Sequence, residues 1–422
     1  MASTSFSPRA QGRNDNAWKG LGGNSIILSA SKRDFFHAYA LSFFLLVISA
    51  SWVANLGADW LQIMCTATVL AYAIFRTDLT GVNTKTFFAM LFLSSSVLAI
   101  PTIRSGAPQP TDILFFSSIL IAAFSAEATR RNIDEALLAF VHLNYHLAVV
   151  SLLLFPLVFI LPNLIVPVPD ALQNFLDSEI NGDRRFYTIF GLTYFATNSG
   201  VDGIWRNQSI FWEPGMLGFI SVLSLALADA FGVGLRKRIV FVLTTLSTFA
   251  PGAYALLIIY FGLKLMRSGR KGVLRPLFTL VIFAVGAAAT LPMLRELLLL
   301  LFGRDIYMDP SIYIRSTDFW LPYAVALKSP FFGFGSIEPY QIAMQIAIER
   351  RMDGITNSVG SYFYRYGYIW ALGFLIWVIT SFSRGSRPFV LIPIVMLLGV
   401  MYEPIGFSAV FLFLVFLARA SR

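Results

Sequence analysis

The amino-acid sequence predicts an all-α polytopic membrane protein with about 12 transmembrane helices, and three observations lead to that class. Of the 422 residues, 57% are hydrophobic and only 13% are charged, with a mean hydropathy of +0.70. Apolar runs long enough to cross a bilayer recur along the chain, and basic residues concentrate in alternate loops. A water-soluble fold could not bury so much apolar surface.

Each predicted span is an apolar run near the length of about 20 residues that a helix needs to cross the hydrocarbon core. The predicted spans are 35–54, 58–75, 85–103, 110–127, 135–162, 210–230, 237–250, 252–267, 273–294, 358–382, 388–402 and 404–418. Two pairs, broken at Pro251-Gly252 and at Glu403-Pro404, are short, and each pair also fits a broken or re-entrant hairpin.

The distribution of basic residues predicts the orientation. With the N-terminus in the cytoplasm, 21 of the 32 lysine and arginine residues fall in cytoplasmic segments, as the positive-inside rule requires. The formal charge of +9 therefore reports topology and does not indicate a nucleic-acid partner. The predicted organisation is a cytoplasmic tail (1–34), a transmembrane domain (35–418) with external loops at about 163–209 and 295–357, and a cytoplasmic C-terminus (419–422).

The most informative stretch lies where the chain re-enters the membrane after the first external loop. It reads Arg206-Asn207-Gln208-Ser209-Ile210-Phe211-Trp212-Glu213-Pro214-Gly215. If it is helical, two turns place Arg206 and Glu213 on one face. A carboxylate at a membrane edge is costly unless it is paired or used, so the pair is either an anchoring ion pair or part of a site facing a cavity.

The second external loop carries arginines at Arg304, Arg315 and Arg351 and an aromatic residue at Trp320. A planar, permanently charged guanidinium suits phosphate and pyrophosphate, so Arg206, Arg304 and Arg315 predict an anionic substrate. The competing interpretation is that these side chains snorkel at the interface, as arginines near membranes commonly do.

The order of these features resembles the O-antigen polymerase and O-antigen ligase superfamily of bacterial polysaccharide assembly. Four pieces carry the resemblance. They are Arg206 with Phe211-Trp212-Glu213-Pro214-Gly215, then Ser247-Thr248-Phe249-Ala250-Pro251-Gly252, then Arg315 followed by Pro330-Phe331-Phe332-Gly333-Phe334-Gly335, and Thr356-Asn357-Ser358 before Tyr366-Gly367.

The resemblance implies a metal-independent membrane glycosyltransferase of the GT-C type in the bacterial inner membrane, with no cofactor. Its substrates would be undecaprenyl-pyrophosphate-linked glycans, and its partners membrane lipid, a chain-length regulator and a flippase. Arg206 and Arg315 would hold the pyrophosphate leaving group, and Glu213 would orient or deprotonate the acceptor hydroxyl. Candidate substrate-binding residues are Arg304, Asn357, Trp212, Trp320 and Arg351.

Polymerase is the favoured member, because ligases usually carry His-Asn where this chain has Thr356-Asn357. The reaction would join lipid-linked repeat units into O-antigen or exopolysaccharide chains. A ligase that transfers glycan to lipid A-core remains an alternative, as does a flippase or transporter from a different class. His142 and His146 have the spacing of two metal ligands, but interhelical hydrogen bonding explains them more simply, so no metal site is predicted.

Overall fold

The structure is a computed structural model. It describes residues 32–50, 59–77, 82–108, 110–168, 184–190, 193–198, 205–211, 213–267, 322–323, 326–335, 358–383, 391–402 and 406–420. This part of the chain is mostly helical, as predicted. The predicted span at 273–294, most of the second external loop and Glu403 lie outside the described residues.

The helices follow the predicted spans closely. They are α1 (Lys32–Ala50), α2 (Asp59–Arg76), α3 (Thr84–Ser105), α4 (Pro110–Thr129), α5 (Ile133–Leu154), α6 (Leu157–Ile160), α7 (Pro214–Ala230), α8 (Leu235–Ser247), α9 (Pro251–Arg267), α10 (Ser358–Ser383), α11 (Leu391–Tyr402) and α12 (Ala409–Ala420). Within the described residues, three stretches are long and apolar enough, by length and composition, to cross a membrane: Thr84–Arg104, Asp112–Thr129 and Ile133–Ile160.

Local sequence signals explain where several helices begin and end. The Asn83 side chain accepts a hydrogen bond from the backbone N–H of Lys85 and so caps the start of α3. Gly106 ends the same helix in the left-handed conformation, at φ 77°. Pro110, Pro214 and Pro251 each occupy the first position of a helix, where the missing N–H removes no helical hydrogen bond.

Helices α1 and α5 run side by side in the same direction. The Phe35 ring lies edge-on to His142 at 5.8 Å, and one turn further along both helices the Tyr39 hydroxyl lies 2.9 Å from His146 Nδ1. The last turns of the two helices are therefore at the same end of the bundle.

Helices α4 and α12 begin at the same end. Near the end of α1, the Ser49 hydroxyl accepts a hydrogen bond from the Val410 N–H at the start of α12. Phe407, just before α12, packs edge-on against Phe115 in the second turn of α4, at 4.8 Å. We call this end the sheet end, because the β-sheet described below joins it through α5.

The opposite end carries a cluster of ion pairs. The Asp229 carboxylate, near the end of α7, lies 2.7 Å from Arg238 at the start of α8 and 2.6 Å from Lys264 near the end of α9. Arg130 pairs with Glu127 at the end of α4. Helices α7, α8 and α9 therefore cross the bundle in alternating directions between these two ends.

The described part of the first predicted external loop contains a four-stranded antiparallel sheet, which the sequence analysis did not predict. The strands are β1 (Val166–Pro167), β2 (Arg184–Ile189), β3 (Thr193–Asn198) and β4 (Arg206–Ser209), paired in sequence order. The sheet forms because its central strands are rich in aromatic and β-branched residues. Ile189 and Phe195 are fully buried and pack with Val158 of α6.

The approach of α11 to α7 gives a direct test of the packing. A Cβ atom at Gly399 would lie 2.0 Å from the ring of Phe219, which is only 1% exposed. We expect Gly399→Ala to lower the free energy of unfolding by about 1–3 kcal/mol, since a buried ring must move. Thermal unfolding of the purified protein in detergent measures the effect. Gly373→Ala is the control, because a Cβ there meets no atom within 4 Å, and equal melting temperatures would contradict the packing.

Candidate functional site

Arg206 opens β4 and is buried at the sheet end. The residue is only 8% exposed, and its side-chain Nε donates a hydrogen bond to the backbone carbonyl of Thr248 at 3.3 Å. Thr248 lies between α8 and α9, so the guanidinium joins the sheet to the break between two helices. A buried guanidinium is stable only when hydrogen-bonded, and the Thr248 carbonyl is one of its acceptors.

Asn207 ties the same strand to two helices. Its Nδ2 donates to the Ser151 hydroxyl of α5 at 3.2 Å and to the Ser247 hydroxyl of α8 at 3.0 Å. Its Oδ1 accepts from the Ser209 N–H at 3.1 Å. All four residues are buried, so these bonds fix β4 relative to α5 and α8.

At the break between α8 and α9, the Thr248 carbonyl accepts the hydrogen bond from Arg206. The Thr248 hydroxyl donates to the Thr245 carbonyl at 2.7 Å and accepts from the Ala250 N–H at 3.3 Å. Phe249 adopts a left-handed backbone conformation, at φ 46°, before Pro251 starts the next helix. This geometry presents the Thr248 carbonyl to Arg206.

Two residues with strained backbones lie at the junction of β4 with α5 and with the break between α8 and α9. Ser209 at the end of β4 has φ 52° and Phe249 has φ 46°, in the region that residues with a side chain rarely adopt. Such conformations cost of the order of 1–3 kcal/mol each and cluster where a structure holds a functional geometry. The surrounding hydrogen bonds of Asn207 and Thr248 keep both residues in place.

The prediction that one helix places Arg206 and Glu213 on the same face was wrong. Arg206 belongs to a strand that ends at Ser209, and Glu213 is the residue before α7, with extended backbone angles. Pro214 cannot donate the N–H that a helix running through it would need, so the helix starts there. The Glu213 carbonyl accepts from the Met216 N–H at 3.1 Å. Both side chains nevertheless lie at the sheet end, and Glu213 is half-buried.

The remaining predicted site residues lie outside the described residues, so the structure does not place them. They are Trp212, Arg304, Arg315, Trp320, Arg351 and Asn357. The sequence analysis did not assign four further residues to the Arg206 site. They are Ser151, Asn207, Ser247 and Tyr254. The Tyr254 hydroxyl donates to the Leu246 carbonyl at 2.6 Å, within the electrostatic reach of Arg206.

Helix α10 has a kink at Gly367, where the backbone angles are not helical, and the Pro330–Gly335 segment packs against it. Phe334 N–H donates to the Tyr364 carbonyl at 2.8 Å, and Gly335 N–H donates to the Arg365 carbonyl at 3.1 Å. Gly333 and Gly367 have φ 60° and φ 83°, and a Cβ at either would lie within 2.8 Å of the other segment's backbone. Only glycine allows the two backbones to approach this closely.

Further polar groups gather beside that kink. Asp112, in the first turn of α4, is fully buried, and it and Arg365 both interact with the Tyr366 side chain. The Arg365 guanidinium also lies over the Phe407 ring, 5.4 Å from its centroid. Because Phe407 packs on Phe115 at the start of α4, this cluster is at the sheet end, like Arg206.

The two histidines of α5 have partners inside the bundle. His142 Nδ1 lies 2.8 Å from the Leu138 carbonyl and must carry the proton, so Nε2 accepts from Lys237 Nζ at 2.8 Å. His146 Nδ1 lies 2.9 Å from the Tyr39 hydroxyl. Within the part of the chain that the structure describes, no three His, Cys, Asp or Glu side chains are arranged to hold a metal ion.

No protein-family model matches the sequence, and no curated protein matches it significantly.

The Asn207 contacts should contribute to the stability of the folded protein. Asn207→Ala leaves the buried Ser151 and Ser247 hydroxyls without their donor, and we expect it to lower the free energy of unfolding by about 1–3 kcal/mol. Thermal unfolding in detergent measures the change. Ser117→Ala is a control, since that hydroxyl bonds only to Ile113 of its own helix. An Asn207→Ala protein as stable as this control would show that the junction does not hold β4.

Proposed function

We propose that this protein is a polymerase that joins undecaprenyl-pyrophosphate-linked oligosaccharide repeats on the external face of the bacterial inner membrane. The observation that carries the proposal is the pairing of the four sequence pieces that resemble the polymerase and ligase superfamily. Arg206 of the first piece bonds to Thr248 of the second, and Pro330–Gly335 of the third packs on Tyr366-Gly367 of the fourth. Both pairs lie at the sheet end.

The charges of the helix ends support the proposed placement in the membrane. The end opposite the sheet carries Arg76, Arg130, Arg238 and Lys264, which the positive-inside rule assigns to the cytoplasm. The sheet end then faces the periplasm, both termini are cytoplasmic, and the chain crosses the membrane about 12 times in a GT-C-like arrangement. A flippase and a chain-length regulator are the proposed partners, since repeats must arrive outside and chains must end.

The proposed reaction is a glycosyl transfer between two lipid-linked molecules. The acceptor hydroxyl oxygen attacks the anomeric carbon of the donor glycan and forms the new glycosidic bond. The bond from that carbon to the pyrophosphate oxygen breaks, and its electron pair leaves with undecaprenyl pyrophosphate. The hydroxyl proton passes to the Glu213 carboxylate.

Arg206 supports this reaction through its charge and its fixed position. Negative charge develops on the pyrophosphate oxygen as the bond breaks, and a pre-oriented guanidinium stabilises it without reorganising. The hydrogen bond to Thr248 and the rigid junction around Asn207 hold the guanidinium in that orientation. Arg315 is the proposed second cation, and Arg304, Arg351, Asn357, Trp212 and Trp320 are the proposed contacts to the sugars.

The test of function is reconstitution of the purified protein in vesicles with lipid-linked repeat units. A polymerase produces a ladder of longer glycans on gel electrophoresis. Glycan transferred to added lipid A-core instead would make the protein a ligase, and glycan that crosses the membrane without lengthening would make it a flippase.

Arg206→Ala should reduce elongation by about 100-fold or more, because the leaving group loses a fixed positive charge. Arg206→Lys is the matched variant: it keeps the charge and loses the planar fork, so we expect intermediate activity. The initial rate of ladder formation distinguishes the two variants. It is measured on proteins whose thermal stability has been confirmed. Wild-type rates in Arg206→Ala would rule out the pyrophosphate role.

Glu213→Gln should likewise slow elongation by about 100-fold or more, because an amide cannot accept the acceptor's proton. Its size matches that of glutamate, so binding of the donor should persist. The measurement is the rate at saturating substrate, with donor affinity determined separately. If the maximal rate is unchanged, Glu213 has only a structural role before α7.

A further inference from the structure

An apolar groove runs between α3 and α10 and is not part of the Arg206 site. Its volume is about 450 Å³. The side chains that line it include Phe92 and Ile100 from α3, Phe331 and Phe332 from the segment that packs on the α10 kink, and Ile369 and Phe374 from α10. The Trp370 indole N–H donates to the Ser96 hydroxyl at 2.7 Å, so these two polar groups in the groove wall are hydrogen-bonded to each other.

Arg104 lies where this groove reaches the sheet end. It follows Ile100 by one helical turn and is on the same face of α3. Its Nε donates to the Gly333 carbonyl at 3.2 Å and its Nη2 to the Ser329 hydroxyl at 3.3 Å, yet the residue remains exposed. Lys328 precedes Ser329 in the sequence and is also exposed. The groove is therefore apolar along its length, with the Arg104 guanidinium at its mouth and a second exposed cation next in sequence to a residue that Arg104 contacts.

The groove and Arg206 belong to different parts of the bundle. Arg206 and Asn207 are held by α5, α8 and the break before α9. The groove is built on α3 and α10, which pack against α4, α11 and α12. A lipid whose tail occupies the groove would thus be separate from a lipid whose pyrophosphate contacts Arg206.

We propose that this groove holds the polyprenyl tail of the second lipid-linked substrate, the acceptor, with Arg104 and Lys328 at its pyrophosphate. The inference rests on the proposed function, because a polymerase joins two lipid-linked molecules and must accommodate two tails. The two cations complement a pyrophosphate better than the single negative charge of a phosphodiester headgroup. The aromatic lining complements a hydrocarbon chain.

Gly373 allows the groove to be filled without disturbing the packing. It lines the groove, and a Cβ added there meets no atom within 4 Å. Gly373→Phe should therefore occupy the space of the tail and leave α10 intact. Leu372→Phe is the matched control, since Leu372 is the adjacent residue, is 49% exposed and does not line the groove.

Native mass spectrometry can count the lipid molecules bound to the full chain in phosphatidylcholine nanodiscs. The probe is glycan-free undecaprenyl pyrophosphate. We expect two copies per chain in the wild type and in Leu372→Phe, and one in Gly373→Phe. Lys328→Gln should weaken the groove copy about tenfold. Arg206→Ala combined with Gly373→Phe should bind none.

Three outcomes would overturn the groove assignment. The first is a bound count that Gly373→Phe leaves unchanged. The second is displacement of the groove copy by an equal concentration of phosphatidylglycerol, which would make it a site for ordinary anionic lipid. The third is normal glycan elongation by a wild-type chain that binds a single copy, which would reject the groove and leave the polymerase in place. Failure of glycan elongation with the expected counts intact would instead reject the polymerase and leave the groove in place.

Discussion

The buried hydrogen bonds around Asn207 are the constraint on which the proposed site depends. One side-chain amide joins a strand of the sheet to two helices, because it reaches Ser151 and Ser247 together and also holds the Ser209 N–H. Arg206, the preceding residue, is thereby held against Thr248. Buried polar networks specify a unique arrangement when each member has a partner. The guanidinium is thus positioned by its neighbours in sequence and not by a helix of its own.

Glycine sets the geometry of the second contact at the same end. The 330–335 segment and the α10 kink approach backbone to backbone, and Gly333 and Gly367 supply the left-handed conformations that make the approach feasible. Arg104 then bridges that segment to α3. In the described part of the chain, the sheet end therefore has two such junctions: Arg206 bonds to the break between α8 and α9, and Arg104 bonds to the segment that packs on the α10 kink.

Much of the helical scaffold could be predicted from sequence, because apolar length, Asn83, Gly106 and the helix-starting prolines act locally. The sheet was missed although its central strands are rich in aromatic and β-branched residues, since strands of six residues or fewer give a much weaker sequence signal than the long apolar runs around them. The error at Arg206 and Glu213 was avoidable, because Pro214 marks a helix start. The contacts of Asn207 and Thr248 could not be predicted, because they join residues about 40 or more positions apart.

The shortness of α8 has a consequence for the depth of the site. Its 13 residues extend only about 20 Å at 1.5 Å per residue, well below the roughly 30 Å of a hydrocarbon core. The break at Thr248, and the guanidinium bonded to it, would thus lie beneath the plane of the lipid headgroups. In the proposed polymerase, a carrier lipid with its phosphates at the usual headgroup height would have to move deeper to reach Arg206, or the bilayer would have to thin beside α8. Membrane thickness would then change the rate of the proposed reaction independently of the site's chemistry.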